Sequence, residues 1–173
     1  MVAFMQGGIS AGSFFDYLGQ LKRVYEILDS WGQDLSIYDS RLKRTPIINE
    51  TLQLSGHVVR RYPATDAYVD HLQNLIDTKD TVAVLAHHYT RFMGDLAAGP
   101  MIGFLSNNLG IPDEMLKFYE FSDLGDLIEY RLSYGAAIQQ IVPHSDQDRF
   151  IFEILLAFKY SQNILDELSS YWQ

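Results

Sequence analysis

Apolar positions recur at three- and four-residue spacing through most of the chain, the period of helices with one buried face. Phe14, Leu18, Leu21, Tyr25 and Leu28, with Val24 and Trp31 widening the stripe, predict a helix over about 10–31. Ser10 or Ser13 can cap its start, and Gly32 is a natural stop. Residues 33–46 carry no such pattern and read as a loop with at most a short turn, ending at Pro46. A weaker helix is predicted over 47–60, interrupted by Gly56. Thr65 then opens a short amphipathic helix that turns Val69, Leu72, Leu75 and Ile76 to the core. The longest periodic segment begins near Asp80 and continues to about Asn108, with Gly110 and Pro112 closing it. A break is expected near Gly94–Pro100, because proline lacks a backbone donor and clashes with the preceding turn. Asp113 caps a brief helical piece through Tyr119, and another helix is expected over about 122–141, up to Pro143. Ser145-Asp146-Gln147-Asp148 resembles a capping box with Asp replacing Glu. It opens a last long helix with Phe150, Ile154, Leu155, Phe158, Ile164 and Leu165 facing inward. No segment alternates with a period of two, so the expectation is an all-α bundle of about six or seven helices.

Composition narrows the function classes. At 173 residues and 47% hydrophobic, the chain is expected to form one domain over 1–173 with core enough to fold. It has no cysteine, which excludes disulfides, thiolate metal sites and cysteine nucleophiles. The longest apolar runs fall far short of a bilayer span and no charged-then-apolar leader precedes them, so a cytoplasmic protein is expected. A net charge of -9 argues against a nucleic-acid partner, and it selects no basic one.

The candidate chemistry lies in the stretch from Leu85 to Pro100. It has helical periodicity, yet it carries Gly94, Gly99, Pro100 and a run of small residues. Gly costs about 0.8–1 kcal/mol against Ala in a helix interior, and Pro about 3. Arg91, Asp95 and Ala98 share one helical face with Gly94 beside them, a flat and nearly side-chain-free surface next to a charged pair. Spacing alone leaves two readings open. The small residues can serve close helix packing beside an ordinary i, i+4 ion pair, or a flat aromatic ligand can rest on them. The histidines suggest no metal site. His87 and His88 point about 100° apart on a helix, so they cannot serve one ion from the same face. His57 and His71 sit at no ligand-like spacing and read as surface or hydrogen-bonded residues, and His144 reads as exposed. There is no HExxH, paired ExxH, phosphate loop or GxSxG elbow.

The run LAHHYTRFMGDLAAG, Leu85 to Gly99, resembles the distal-helix motif of heme oxygenases, LAHxYxRYLGDLSGGQ. The similarity extends to GGISAGSFFDYLGQLKRVYEIL near the start and AFKYSQNILDEL near the end, and so runs from about Met5 to Leu168. The resemblance implies a heme-oxygenase-like helical domain with a kinked distal helix. It implies oxidative cleavage of heme, both substrate and oxygen-activating cofactor, to biliverdin, carbon monoxide and ferrous iron. An electron-donating redox protein, a ferredoxin or a reductase, would be the partner. On this resemblance Gly94 backs the distal face of the heme and Asp95 anchors the water that relays protons, with Arg91 and Tyr25 supporting it. Tyr89 lies toward a propionate, Phe158 forms pocket wall, Ala98 and Gly99 continue the small-residue face, and Arg131 is the candidate propionate clamp. There are three departures from the family pattern. The family's proximal histidine lies on a helix before the GGIS-like segment, and no histidine here stands at the equivalent place. Ala98 stands where the family usually has Gly, and Arg131 is the one basic candidate around 130–134. These departures favour an alternative, a non-catalytic heme-oxygenase-like domain that binds heme, another hydrophobic ligand or a protein partner. A thiaminase-like hydrolase on a similar fold would lack its usual cysteine nucleophile.

Overall fold

The computed structural model describes residues 10–32, 37 and 39–171. The Gly7-Gly8-Ile9 lead-in and part of the 33–46 loop therefore lie outside the described residues. Seven α-helices are described, with short 3-10 turns between several of them and no strand. They are α1 (Ala11–Trp31), α2 (Thr45–Ser55), α3 (Pro63–Asp77), α4 (Thr81–Leu96), α5 (Pro100–Leu109), α6 (Leu127–Ile141) and α7 (Gln147–Ser169). None of the described helices is long and apolar enough to cross a membrane.

The centre of the bundle is α4, where twelve of sixteen residues are buried. A helix covered on nearly every side is a core element and not a surface one. It packs most extensively along α7, while α1 lies against α2 and α3. One core cluster joins Phe14, Leu18 and Tyr25 of α1 to Leu85, Phe92 and Leu96 of α4 and to Phe118. A second joins Val24 and Leu28 to Tyr68 and Leu72 of α3 and to Ile164 and Leu168 of α7.

Several boundaries differ from the periodic reading for local reasons. Pro46 lies inside the first turn of α2, where a missing N–H costs nothing. That helix has no side-chain cap of its own. Asp29 of α1 supplies one, its Oδ2 accepting from Arg44 N at 3.1 Å and Thr45 N at 2.8 Å. The helix ends at Gly56, left-handed with φ 60, short of residue 60. The helix expected from 122 begins only at Leu127. Gly125 takes φ 76 and ψ -134, which breaks the chain after a turn at Ser122–Leu124. The capping box at Ser145–Asp148 does not form. A 3-10 turn covers His144–Asp146, and α7 starts at Gln147 with no side-chain cap bond. Leu155 and Phe158 do not face inward and are 63% and 59% exposed, since the wide apolar stripe of α7 exceeds the face that α4 and α3 cover. The break in the long central segment is found where expected, as Ala97–Gly99 between α4 and α5.

Two polar clusters hold irregular backbone in place. The buried Arg44 guanidinium donates to the carbonyls of Leu42, Phe118 and Glu120 and lies over the Phe121 ring, fastening the turn-rich 113–124 segment. Burial pulls its pKa down to about 10, with the Asp29 and Asp123 carboxylates opposing the shift. Asp16 of α1 accepts from Arg60 N at 3.0 Å and Tyr62 Oη at 3.3 Å, and meets His57 Nε2 at 3.0 Å. These bonds draw residues 57–62 across α1 at Gly19. A Cβ there would sit 2.1 Å from a Val59 methyl, so only glycine allows the crossing.

Candidate functional site

At the C-terminal half of α4 the chain opens into a cavity of about 250 Å³. Gly94, Ala98 and Met101 form an apolar floor, Phe158 and Leu165 of α7 a second wall, and Tyr17 and Tyr119 close the polar end. The floor is bare at Gly94, where an added Cβ would meet no atom within 4 Å. The helix backbone itself is the surface a ligand would touch.

Beside that floor lies a buried polar network. Asp95, on the cavity wall, accepts a hydrogen bond from the Tyr25 hydroxyl, contributed by α1. Its other oxygen accepts from Arg91 at 3.3 Å. Arg91 also donates to Ser161 Oγ at 3.2 Å, and Ser161 in turn donates to the Ala157 carbonyl at 2.8 Å. The i, i+4 spacing of Arg91 and Asp95 makes their pairing a property of the helix alone, whereas the tyrosine comes from a different helix. Tyr25 is held edge-on by Phe92 and Phe118, with ring centroids 5.2 and 6.0 Å away. Its rotamer is therefore set by packing before any ligand arrives.

The electrostatics follow from burial. Desolvation raises the Asp95 pKa well above its ordinary 3.8, so this carboxyl can carry a proton at a pH where an exposed one would not. Burial likewise raises Tyr119 and Tyr17, with Arg91 partly opposing the shift at Tyr17, which keeps both phenols protonated as donors. Arg91 Nε is buried and has no hydrogen-bond partner among the described residues.

Not all the sequence-derived site residues gather here. Gly94, Asp95, Arg91, Ala98 and Phe158 line the cavity, and Tyr25 reaches it through Asp95. Gly99 is exposed and begins α5 without lining the cavity. Tyr89 faces the other way, into a groove of about 780 Å³ between α6 and α7, and stacks on Tyr134. Arg131 is exposed on α6 and lines neither space. The sequence reading missed Tyr17, Tyr119, Ser161 and Gln162, which line the cavity as well. Tyr17 stands four residues before Leu21 on the apolar stripe of α1 and was accessible to helical spacing, while Tyr119 sits in a 3-10 turn without periodicity. The neighbouring His88 stays out of the site. Its Nδ1 meets the Tyr134 hydroxyl at 2.8 Å, and burial lowers its pKa to about 4.

A profile of the heme oxygenase family matches residues 1–167. The chain belongs to the heme oxygenase family. It is 26% identical to heme oxygenase 1 of Synechocystis over 179 residues, 95% of this chain and 74% of that protein. Against the heme oxygenase of Rhodella violacea it is 29% identical over 143 residues, 78% of this chain and 60% of that one. The chain thus spans roughly three fifths to three quarters of these relatives' length. The crystal structure of heme oxygenase-1 from Synechocystis in complex with heme superposes with a TM-score of 0.88 at 24% identity, covering 99% of this chain and 83% of that one. The shared architecture is the all-helical heme oxygenase fold.

Proposed function

We propose that this chain catalyses the oxidative cleavage of heme to biliverdin, carbon monoxide and ferrous iron, with the heme lying against Gly94. The observation that carries this reading is the pairing of a bare helix floor with a buried carboxyl at its edge that a tyrosine from another helix holds in place. The residues present suit one face of a flat, largely apolar macrocycle. Gly94 admits backbone contact, while Ala98, Met101, Phe158 and Leu165 offer apolar area. No histidine lines this cavity among the described residues, so they would hold the ring by contact and would offer its iron no imidazole. When bound, heme supplies both the oxygen-activating iron and the carbon skeleton that is cleaved.

The chain's own contribution is position and proton control. Gly94 sets how closely the ring approaches α4. Burial favours the protonated form of the Asp95 carboxyl, and the Tyr25 hydroxyl and Arg91 fix its orientation. The tyrosines keep their protons and add donors at the polar end. Oxidative cleavage of heme consumes electrons, so an electron-donating redox protein, a ferredoxin or a reductase as the family resemblance implies, is the proposed partner.

The test is a spectroscopic hemin titration of the chain, then ascorbate under air, repeated with Asp95→Asn. The variant should bind hemin as the parent does and form biliverdin at least about a hundredfold more slowly, the loss expected for a positioned proton donor. Turnover at the parent rate would remove Asp95 from the proposed mechanism.

A further inference from the structure

Away from the cavity, His71 of α3, His87 of α4 and Glu153 of α7 converge. Glu153 Oε2 lies 3.0 Å from His87 Nε2 and 3.2 Å from His71 Nε2, and the potential ligand atoms all fall within 4.8 Å of one another. The His87 and Glu153 side chains are 0% and 1% exposed, whereas His71 is 20% exposed and opens the cluster to solvent. We propose that His71, His87 and Glu153 form a binding site for a divalent first-row transition ion, zinc or ferrous iron, that enters past His71.

Two imidazoles and one carboxylate make a donor set that both ions accept, with a further position left for water. A tetrahedral ion with bonds of about 2.0–2.1 Å holds its ligands roughly 3.3 Å apart. The two imidazole–carboxylate separations already match that spacing, so only the partly exposed His71 ring has to adjust. The surroundings orient the donors. The Tyr68 hydroxyl lies 3.0 Å from His87 Nδ1, so Nδ1–H can donate to it when Nε2 carries an ion. Arg149 contacts Glu153 Oε1 at 3.2 Å and is itself held by Asp80 Oδ2 at 2.7 Å, which leaves Oε2 turned toward the imidazoles. Tyr160 stacks on His71 with ring centroids 5.1 Å apart and limits its swing.

The neighbouring charges bear on the affinity. Arg149 is the one lasting cation in contact with Glu153 among the described residues. A divalent ion would bind Glu153 directly at Oε2, with Arg149 on the far oxygen reducing the affinity. None of the three ligands lines the heme-facing cavity, so the site stands or falls independently of the heme reading.

The experiment uses the full chain, freed of metal by a chelator and without heme. It is titrated calorimetrically with zinc ion and, without oxygen, with ferrous ion. One ion should bind per chain and raise the melting temperature. His71→Ala and Glu153→Gln should each weaken binding by more than about tenfold, while His144→Ala, at an exposed turn, should not. Because His71 is partly exposed, its alanine variant keeps the core, and its unliganded melting curve verifies that. Binding of either ion with this pattern supports the site, and the relative affinities identify the ion. Absence of saturable binding, or a site that His71→Ala leaves intact, overturns it.

Discussion

Replacing Gly94 by alanine should move stability and heme binding in opposite directions. Gly94 lies inside α4, takes no positive φ, and an added Cβ would meet nothing within 4 Å. The usual helix penalty of glycine therefore stands uncompensated in the unliganded chain. Alanine should stabilise it by about 0.5–1 kcal/mol. For a chain of this size each kcal/mol moves the melting temperature by roughly 2–4 °C, so Gly94→Ala should melt about 1–4 °C higher, as read by circular dichroism or calorimetry. The same methyl stands where the proposed ring would touch backbone. A radial gap of about 0.5–1 Å forfeits a quarter to a half of each dispersion contact, and the hemin Kd should rise at least about tenfold, near 1.4 kcal/mol. Gly94→Leu should abolish binding while leaving the helix intact. Two results would refute the reasoning. A stabilised Gly94→Ala that titrates with hemin as the parent does would mean the ring does not rest on this helix. A lowered melting temperature would mean the space above Gly94 is not open.

Gly19 gives the opposite result for the same substitution. Its Cβ would lie 2.1 Å from a Val59 methyl, so Gly19→Ala should destabilise by about 1–3 kcal/mol, measured by urea unfolding. A neutral outcome would show that the 57–62 crossing yields easily. Asp95 sets a pH dependence. Its folded pKa is raised above 3.8, so between about 3.8 and that raised value the folded state holds a proton the unfolded chain has lost. Unfolding free energy therefore gains a favourable contribution as pH falls through the folded pKa. The stability difference between wild type and Asp95→Asn should swing toward wild type as pH drops from neutral toward 4. A pH-independent difference would place Asp95 in a solvated setting.

Much of the architecture was legible in the chain because helices are local. Apolar periodicity located the stripe of α1, the long central segment and its break at Ala97–Gly99, since propensity, capping and proline sterics all act within a few residues. The same locality placed Arg91, Gly94 and Asp95 together, because i, i+3 and i, i+4 neighbours share a face whatever the tertiary structure. Where several short turns compete, locality failed. The onset of α6 waited on Gly125, and the first turn of α7 gave up its capping box to a 3-10 turn.

Only tertiary packing decided the rest. Tyr25 stands 70 residues before Asp95, and nothing in its own helix aims its hydroxyl there; Phe92 and Phe118 do. Helical spacing already sets Tyr89 about 140° from Gly94, but only packing brings Tyr134 of α6 to stack on it. His71 and His87 carried no ligand-like spacing, yet α7 brings Glu153 to both, 82 and 66 residues along the chain. Spacing along one helix determines which side chains share a face. Which faces meet depends on how the whole bundle buries its apolar surface, and no short window of sequence contains that sum.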